Sequence, residues 1–295
     1  MSSSASFEIY LNLGNQLFEG RISEFDLPSI GVDLPALDKT LLDRIAEYAE
    51  SFASVKPRLG WALARIANDA AFSQNCDLFL RSLSAWYLAR ACNHWAQPKR
   101  AADALLIARR GFEELNDSAW TAACEWQSNA LAWSKPDFAE AVRGLKEALT
   151  DLPPEFVPHC RLSLAFAQIL VGDHPAAQEN IRLGEESYRS RGDVVNQARC
   201  WLTLASLLRR QDRFDEAFQK LDQALQVFEQ ENALTDQARA HYQIALGHLL
   251  QTDQLPQAVE RFQRAITLFE ATDLDLWRGM CVNNLGSVYL YIGEL

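Results

Sequence analysis

Residues 200–228 read CWLTLASLLRRQDRFDEAFQKLDQALQVF, and the order of small, large and polar side chains in this stretch decides the fold. Leu204-Ala205 is a pair of one large and one small residue. A short polar turn, Arg210-Gln211-Asp212-Arg213-Phe214, follows it. Then come Ala217, Leu221, Ala224 and Phe228, at offsets of four, seven and eleven from the first. Those offsets trace one stripe along an α-helix, small where a neighbouring backbone approaches and large where a gap must be filled. Two helices joined by so short a turn are antiparallel neighbours, so the stretch reads as a helical hairpin.

Outward from this hairpin the same pattern recurs. Small residues stand at Ala101, Ala141, Ala177, Ala217 and Ala258, spaced 40, 36, 40 and 41 apart. Each has a companion four residues on (Leu105, Leu145, Ile181, Leu221, Phe262), seven on (Ala108, Ala148, Gly184, Ala224, Ala265) and eleven on (Phe112, Leu152, Tyr188, Phe228, Phe269). A preceding helix carries the large-small pair at Leu88-Ala89, Leu164-Ala165, Leu204-Ala205, Leu246-Gly247 and Leu285-Gly286. At Val171-Gly172-Asp173-His174-Pro175 a Gly stops one helix and Asp or Pro starts the next. A period near forty residues marks a repeat architecture, in which no hairpin buries its stripe alone and each stacks on the next.

Composition agrees. Gly (13) and Pro (10) are scarce among 295 residues of which 48% are hydrophobic, which disfavours turn-rich sandwiches and barrels and favours long helices. With 28 Lys and Arg against 39 Asp and Glu, the net charge of −11 repels phosphate backbones and anionic membrane surfaces. No apolar run approaches the ~18 residues of a spanning helix, and Met1-Ser2-Ser3-Ser4 does not open a signal peptide, so a cytoplasmic location is expected. Six cysteines without a CxxC read as reduced thiols, not a disulfide framework.

These residues resemble the tetratricopeptide repeat. Trp201, Leu204, Ala205 and Leu208 followed by Ala217, Leu221 and Ala224 match it closely, and Asn284-Leu285-Gly286-Ser287-Val288-Tyr289 followed by Gly293 matches it best. The resemblance covers about 80–295, with degenerate units at 38–76 and 119–155, where Ser128-Asn129 replaces Leu-Gly. The longer period is similar to that of kinesin light chains and of bacterial multidomain signalling proteins associated with CHAT-type, caspase-like peptidases. The resemblance implies an all-α, right-handed superhelical solenoid of antiparallel helix pairs, about six hairpins and one unpaired last helix over 38–295.

The two ends read differently. Phe7, Ile9 and Leu11 alternate with more polar residues over 6–12, Gly14-Asn15 follows, and Leu17 to Phe25 can return, so a small β-hairpin is expected within an N-terminal segment 1–37. Residues 26–37, with Pro28, Gly31 and Pro35, read as a loop, and a helix is expected to start near Asp38. At the other end Leu285, Val288, Tyr289 and Ile292 form a stripe that a further helix would cover, from which we expect the natural polypeptide to continue past Leu295.

Few side chains form a chemical constellation. Cys124, Cys160, Cys200 and Cys281 share one slot, five positions before the small residue of the pair or its Asn129 counterpart, and read as packing. His241 and His248, seven apart on one helix, stand about 10 Å apart, too far for one metal ion, and no HExxH occurs. Glu113-Glu114 and Glu185-Glu186 read as solvated faces, and neither GxxxxGK[ST] nor GxGxxG is present, so no catalytic residue, cofactor or metal is assigned. Trp120, Trp126 and Trp133 cluster in the most degenerate unit, as core or as an exposed interaction surface.

In the resembled family the first helix of each hairpin lines a concave surface, which implies Arg199, Arg209, Arg210, His241, His248, Asn283 and Asn284 as partner-binding positions. Asn284, just before a Leu-Gly pair, stands where that family commonly bonds the backbone of an extended peptide. Amides suit the task because each offers donor and acceptor. The expected function is a non-catalytic scaffold that holds a protein or peptide segment, an acidic one given the local basic groove. Two alternatives stand beside it: the sensor or substrate-recognition region of a larger bacterial signalling enzyme, caspase-like or nucleotide-binding, with catalysis beyond Leu295; and a peptide-pheromone receptor. Self-association through the exposed last helix is a further expectation.

Overall fold

Helix ends recur along the chain with a fixed geometry. The backbone turns left-handed at Gly172, Gly192, Asp212 and Asn232, one such residue every twenty, and again at Asn75, Asn116 and Asp273. At each the following amide reaches back to the last turn, as in Asp173 N to Gln168 O (2.9 Å), Arg213 N to Leu208 O (3.0 Å) and Ala233 N to Phe228 O (2.8 Å). This caps the helix, and Gly, Asn and Asp are the residues that tolerate the required φ. Where Asp comes next it starts the following helix: Asp193 accepts from Asn196 N at 3.0 Å and Asp117 from Trp120 N at 3.1 Å. Two residues thus close one helix and open another.

The computed structural model describes residues 3–130, 137–251 and 254–293, and these hold fifteen helices. They are α1 (Ser3–Phe18), α2 (Leu27–Asp33), α3 (Lys39–Ser51), α4 (Pro57–Ser73), α5 (Leu78–His94), α6 (Pro98–Glu114), α7 (Ser118–Ala130), α8 (Phe138–Asp151), α9 (Val157–Val171), α10 (His174–Ser190), α11 (Val194–Arg210), α12 (Phe214–Gln230), α13 (Leu234–Leu250), α14 (Leu255–Ala271) and α15 (Asp275–Ile292). The chain divides into two compact units, Met1–Leu131 with Thr150–Pro153, and Ala132–Leu149 with Pro154–Leu295.

In the second unit each even-numbered helix from α10 to α14 packs against the helices before and after it, while α9, α11 and α13 touch in series. The repeated stripe is its core: Ala177, Ile181, Gly184 and Tyr188 of α10, Ala217, Leu221, Ala224 and Phe228 of α12, and Ala258, Phe262, Ala265 and Phe269 of α14 are all buried. Such an arrangement is stabilised by neighbouring pairs, so its cohesion is a sum of adjacent interfaces.

In the first unit α5 and α6 form a hairpin, and α1, α2, α3 and α5 all pack on α4. The described residues contain no β-strand, which overturns the expected N-terminal β-hairpin: residues 3–18 are helical. The buried positions are Phe7, Tyr10, Gly14 and Leu17, spaced three, four and three, the helical period. Phe7 belongs to both that stripe and the alternating one, and Tyr10 decides between them, being 1% exposed with its hydroxyl donating to Pro35 O at 2.9 Å. Gly14 is not a turn residue but a close contact, since a Cβ there would lie 2.3 Å from Leu63 Cδ2. The segment read as a loop contains α2, with Pro28 in its first turn, where proline's missing N–H is no loss. Gln74 ties it down, accepting from Leu37 N at 2.9 Å while its amide nitrogen lies 3.1–3.2 Å from the carbonyls of Gly31, Leu34 and Pro35. Asp38 is the N-cap of α3, accepting from Leu41 N at 2.8 Å.

A cationic recess in the second unit

The odd-numbered helices of the second unit surround a recess of about 400 Å³. Phe166, Ile169 and Leu170 come from α9, and Leu202, Thr203, Ser206, Arg209 and Arg210 from α11. Arg239, Tyr242, Gln243 and Leu246 come from α13, and Trp277 and Met280 from α15. On each helix these residues are three, four or seven apart, the spacing of one helical face. The opposite face of α11, with Ala205 and Leu208, is buried against α12. Packing of the hairpins therefore presents one uniform stripe of each odd helix to the recess.

Most of the lining is apolar, its charged members are three arginines, and no Asp or Glu lines it, in a chain of net charge −11. Arg209 is half-buried, makes no ion pair or hydrogen bond among the described residues, and its Nε is sealed from solvent. Burial and the neighbouring Arg210 both lower its pKa from the usual arginine value, because each disfavours the charge. Arg239 lies 5.4 Å over the Trp277 ring and 3.8 Å from Asp236 Oδ1, and its Nε is likewise sealed without an acceptor. Partial burial, ahead of the opposing pull of Asp236, lowers its pKa too. Ser206 donates to Gln243 Oε1 at 2.7 Å, so that oxygen is taken and the amide nitrogen of this lining residue remains as a donor.

The expected binding positions divide. Arg209 and Arg210 line the recess, and Asn284 adjoins it, donating to Tyr242 Oη at 3.2 Å. Arg199 lies outside the lining: its guanidinium grips Asp236, which is 1% exposed, through Nε at 3.0 Å and Nη2 at 2.8 Å, joining α11 to α13. His241 is 5% exposed and faces α14, accepting from Arg261 Nη1 at 3.2 Å, and burial followed by the nearby Arg261 and Arg264 charges lowers its pKa to about 4. His248 stacks on Phe218 with ring centres 4.6 Å apart and bonds Gln254 Oε1 at 2.5 Å. Asn283 is exposed on α15 outside the recess lining. Arg239, Tyr242, Gln243 and Trp277 are among the lining residues that sequence reasoning missed.

Elsewhere the described residues offer little chemistry. No three His, Cys, Asp or Glu side chains among them gather as a metal-binding group, and no helix is long and apolar enough to cross a membrane. Cys92, Cys124, Cys160, Cys200 and Cys281 are buried, which raises each thiol pKa to about 12. Trp126 is buried, and Trp120 stacks on Phe112 at 5.4 Å and meets Trp86 edge-on at 5.0 Å, so these two rings pack inside the first unit; Trp133 lies outside the described residues. The cleft beside Glu50, Arg90 and His94 holds only about 10 Å³.

A family model for the tetratricopeptide repeat matches residues 196–271. Among solved structures the chain is similar to a Rap protein complexed with competence and sporulation factor, at 14% identity over 86% of this chain and 72% of that one, with a TM-score of 0.68. It is similar to NprR in complex with its cognate peptide NprX, at 15% identity over 100% of this chain and 85% of that one, TM-score 0.62. It is also similar to a signal transduction ATPase with numerous domains and a tetratricopeptide repeat sensor from Pyrococcus horikoshii, at 14% identity over 98% of this chain and 50% of that one, TM-score 0.53. No curated protein matches the sequence at a significant level.

Proposed function

Starting from a chain that is a helical repeat protein of the tetratricopeptide type, we propose that it is a non-catalytic scaffold whose second unit holds a segment of a partner protein or a peptide in the recess between α9, α11, α13 and α15. The observation that carries this reading is the recess itself: a 400 Å³ hollow with an apolar wall and a few directed polar groups, which is how ligand sites are built. An extended segment would lay apolar side chains against Phe166, Leu202, Leu246 and Met280. Its backbone would meet the amide of Gln243 and, at the edge, Asn284. Two of the similar structures carry a bound factor or cognate peptide, which supports the same use here.

Selection of random heptapeptides on the full chain tests the reading. Selected peptides should bind the native chain and fail on Gln243→Trp, whose indole fills the recess while helicity by circular dichroism is kept. Undiminished binding to that variant would place the site elsewhere, and a selection that enriches nothing would refute peptide binding. A second reading, a receptor for a diffusible peptide signal, draws support from the similar structures that carry a bound factor and a cognate peptide. Recovery of a short secreted peptide from the source organism's own medium on the immobilised chain would favour it over a protein partner.

A further inference from the structure

Among the helices that carry the repeated stripe, α6 departs from the others on the side away from it. Five residues after the small residue that opens each stripe stands a pair of adjacent positions. They hold Lys146-Glu147 in α8, Arg182-Leu183 in α10, Asp222-Gln223 in α12 and Gln263-Arg264 in α14. In α6 they hold Leu106-Ile107, 50% and 48% exposed. Two neighbouring aliphatic side chains in water, where the other repeats place charge or amide, mark a surface made for contact.

The charges around that pair are ordered. Lys99, Asp103, Arg110 and Glu114 are exposed on the same face of α6, and each stands as far from the midpoint of Leu106-Ile107 as an opposite charge beyond it. Lys99 matches Glu114, and Asp103 matches Arg110. At 3.6 residues per turn the six residues fall within an arc of about 100°. Lys99 and Asp103 are four apart, as are Arg110 and Glu114, a spacing at which ion pairs form within one helix. Arg109 and Glu113 use it, at 2.7 Å. The four flanking charges do not, since none of them makes an ion pair or a side-chain hydrogen bond among the described residues.

We propose that this face of α6 docks on the same face of a second copy of the chain, the two helices antiparallel and a two-fold axis passing between Leu106 and Ile107. A two-fold contact must be complementary to itself, and this order of charges meets that condition. Antiparallel helices set Lys99 of each copy against Glu114 of the other and Asp103 against Arg110, while Leu106 and Ile107 close on their own counterparts at the centre. Parallel helices would set every charge on its like. Two copies of net charge −11 repel at long range, so association needs local complementarity of this kind. The matched charges span about 22 Å of helix at 1.5 Å per residue. One helix per copy falls below the ~1,200 Å² of a standard interface, so the dimer is weak, with a Kd of about 10–100 μM.

Sedimentation velocity of the full chain, from about 1 to about 500 μM, tests the proposal across that range of Kd. The native chain should pass from monomer to dimer. Asp103→Arg and Arg110→Asp should each raise Kd about tenfold or more, because in a two-fold contact each substitution acts twice and turns two attractions into two repulsions. The double variant Asp103→Arg/Arg110→Asp, and a one-to-one mixture of the two single variants, should each return Kd to within about threefold of native, which only the antiparallel register restores. Leu106→Ser/Ile107→Ser should remove association with helicity by circular dichroism kept. A chain that stays monomeric throughout overturns the proposal, as does a dimer unmoved by the single charge reversals or one that neither combination recovers. Loss of the dimer through Leu290→Ser on α15, with the α6 variants still dimeric, would place the contact on the last helix and overturn it as well.

Discussion

Gly247 and Gly286 occupy the same place in successive repeats, the small member of the Leu-Gly pair, and the structure gives them opposite surroundings. A Cβ on Gly247 would lie 2.6 Å from Cε1 and 2.9 Å from Cζ of Phe218, a ring that also stacks on His248 at 4.6 Å. To restore an ordinary contact the ring must move by about 1 Å, and overpacking of that kind costs ~1–3 kcal/mol. Alanine returns ~1 kcal/mol through helix propensity, so Gly247→Ala should lose up to about 2 kcal/mol. At Gly286 nothing lies within 4 Å, so only the propensity gain remains, and Gly286→Ala should gain ~0.5–1 kcal/mol. Hydrogen exchange of amides in α13 and α15 reads each change where it acts: opening should become easier in the first variant and harder in the second. Changes of the same sign at both sites would refute the claim that the pair is a packing contact only where a second helix covers it.

Other consequences are equally direct. The unfolded chain protonates His241 near pH 6.5 and the folded chain only near 4, so the stability present above pH 6.5 is lost as pH falls through that window. By pH 5 the loss should reach about 2 kcal/mol relative to His241→Cys, measured by urea melts of both proteins from pH 7 to 5; parallel pH curves would refute it. Asp236→Ala leaves Arg199 and Arg239 without their shared carboxylate and should cost about 3 kcal/mol in the same melts, against under 1 for the exposed Glu216→Ala. Iodoacetamide at pH 8 should label only Cys76 in the native chain and all six cysteines after unfolding, since burial suppresses the other thiolates; rapid labelling of Cys200 or Cys281 would contradict their placement.

The helical stripe was legible because three offsets coincide in five units, which no other period produces. The N-terminus was not, because Phe7 fits both a two-residue and a 3.6-residue period, and the competing position, Tyr10, acquires its meaning only from Pro35 across the fold. His241 shows a signal that was present and unused: it falls 41 residues after Cys200 and 40 before Cys281, in the same buried slot as the cysteines. The same period places Arg239 forty residues after Arg199, and Asp236 sits beside both, gripped by the first at 2.8–3.0 Å and 3.8 Å from the second, which is the one that lines the recess. Trp277 and Tyr242 escaped notice because a binding face was sought among polar residues, whereas this recess is walled mainly by apolar ones.

Hydroxyl-radical footprinting of the full chain with a selected peptide measures the central claim most directly. Protection should fall on Leu202, Tyr242, Leu246, Trp277 and Met280, which come from three different helices and share only the recess, while Leu106 and Ile107 of the first unit should oxidise as before. Protection on exposed positions of α10, α12 or α14, with Tyr242 and Trp277 unchanged, would contradict it.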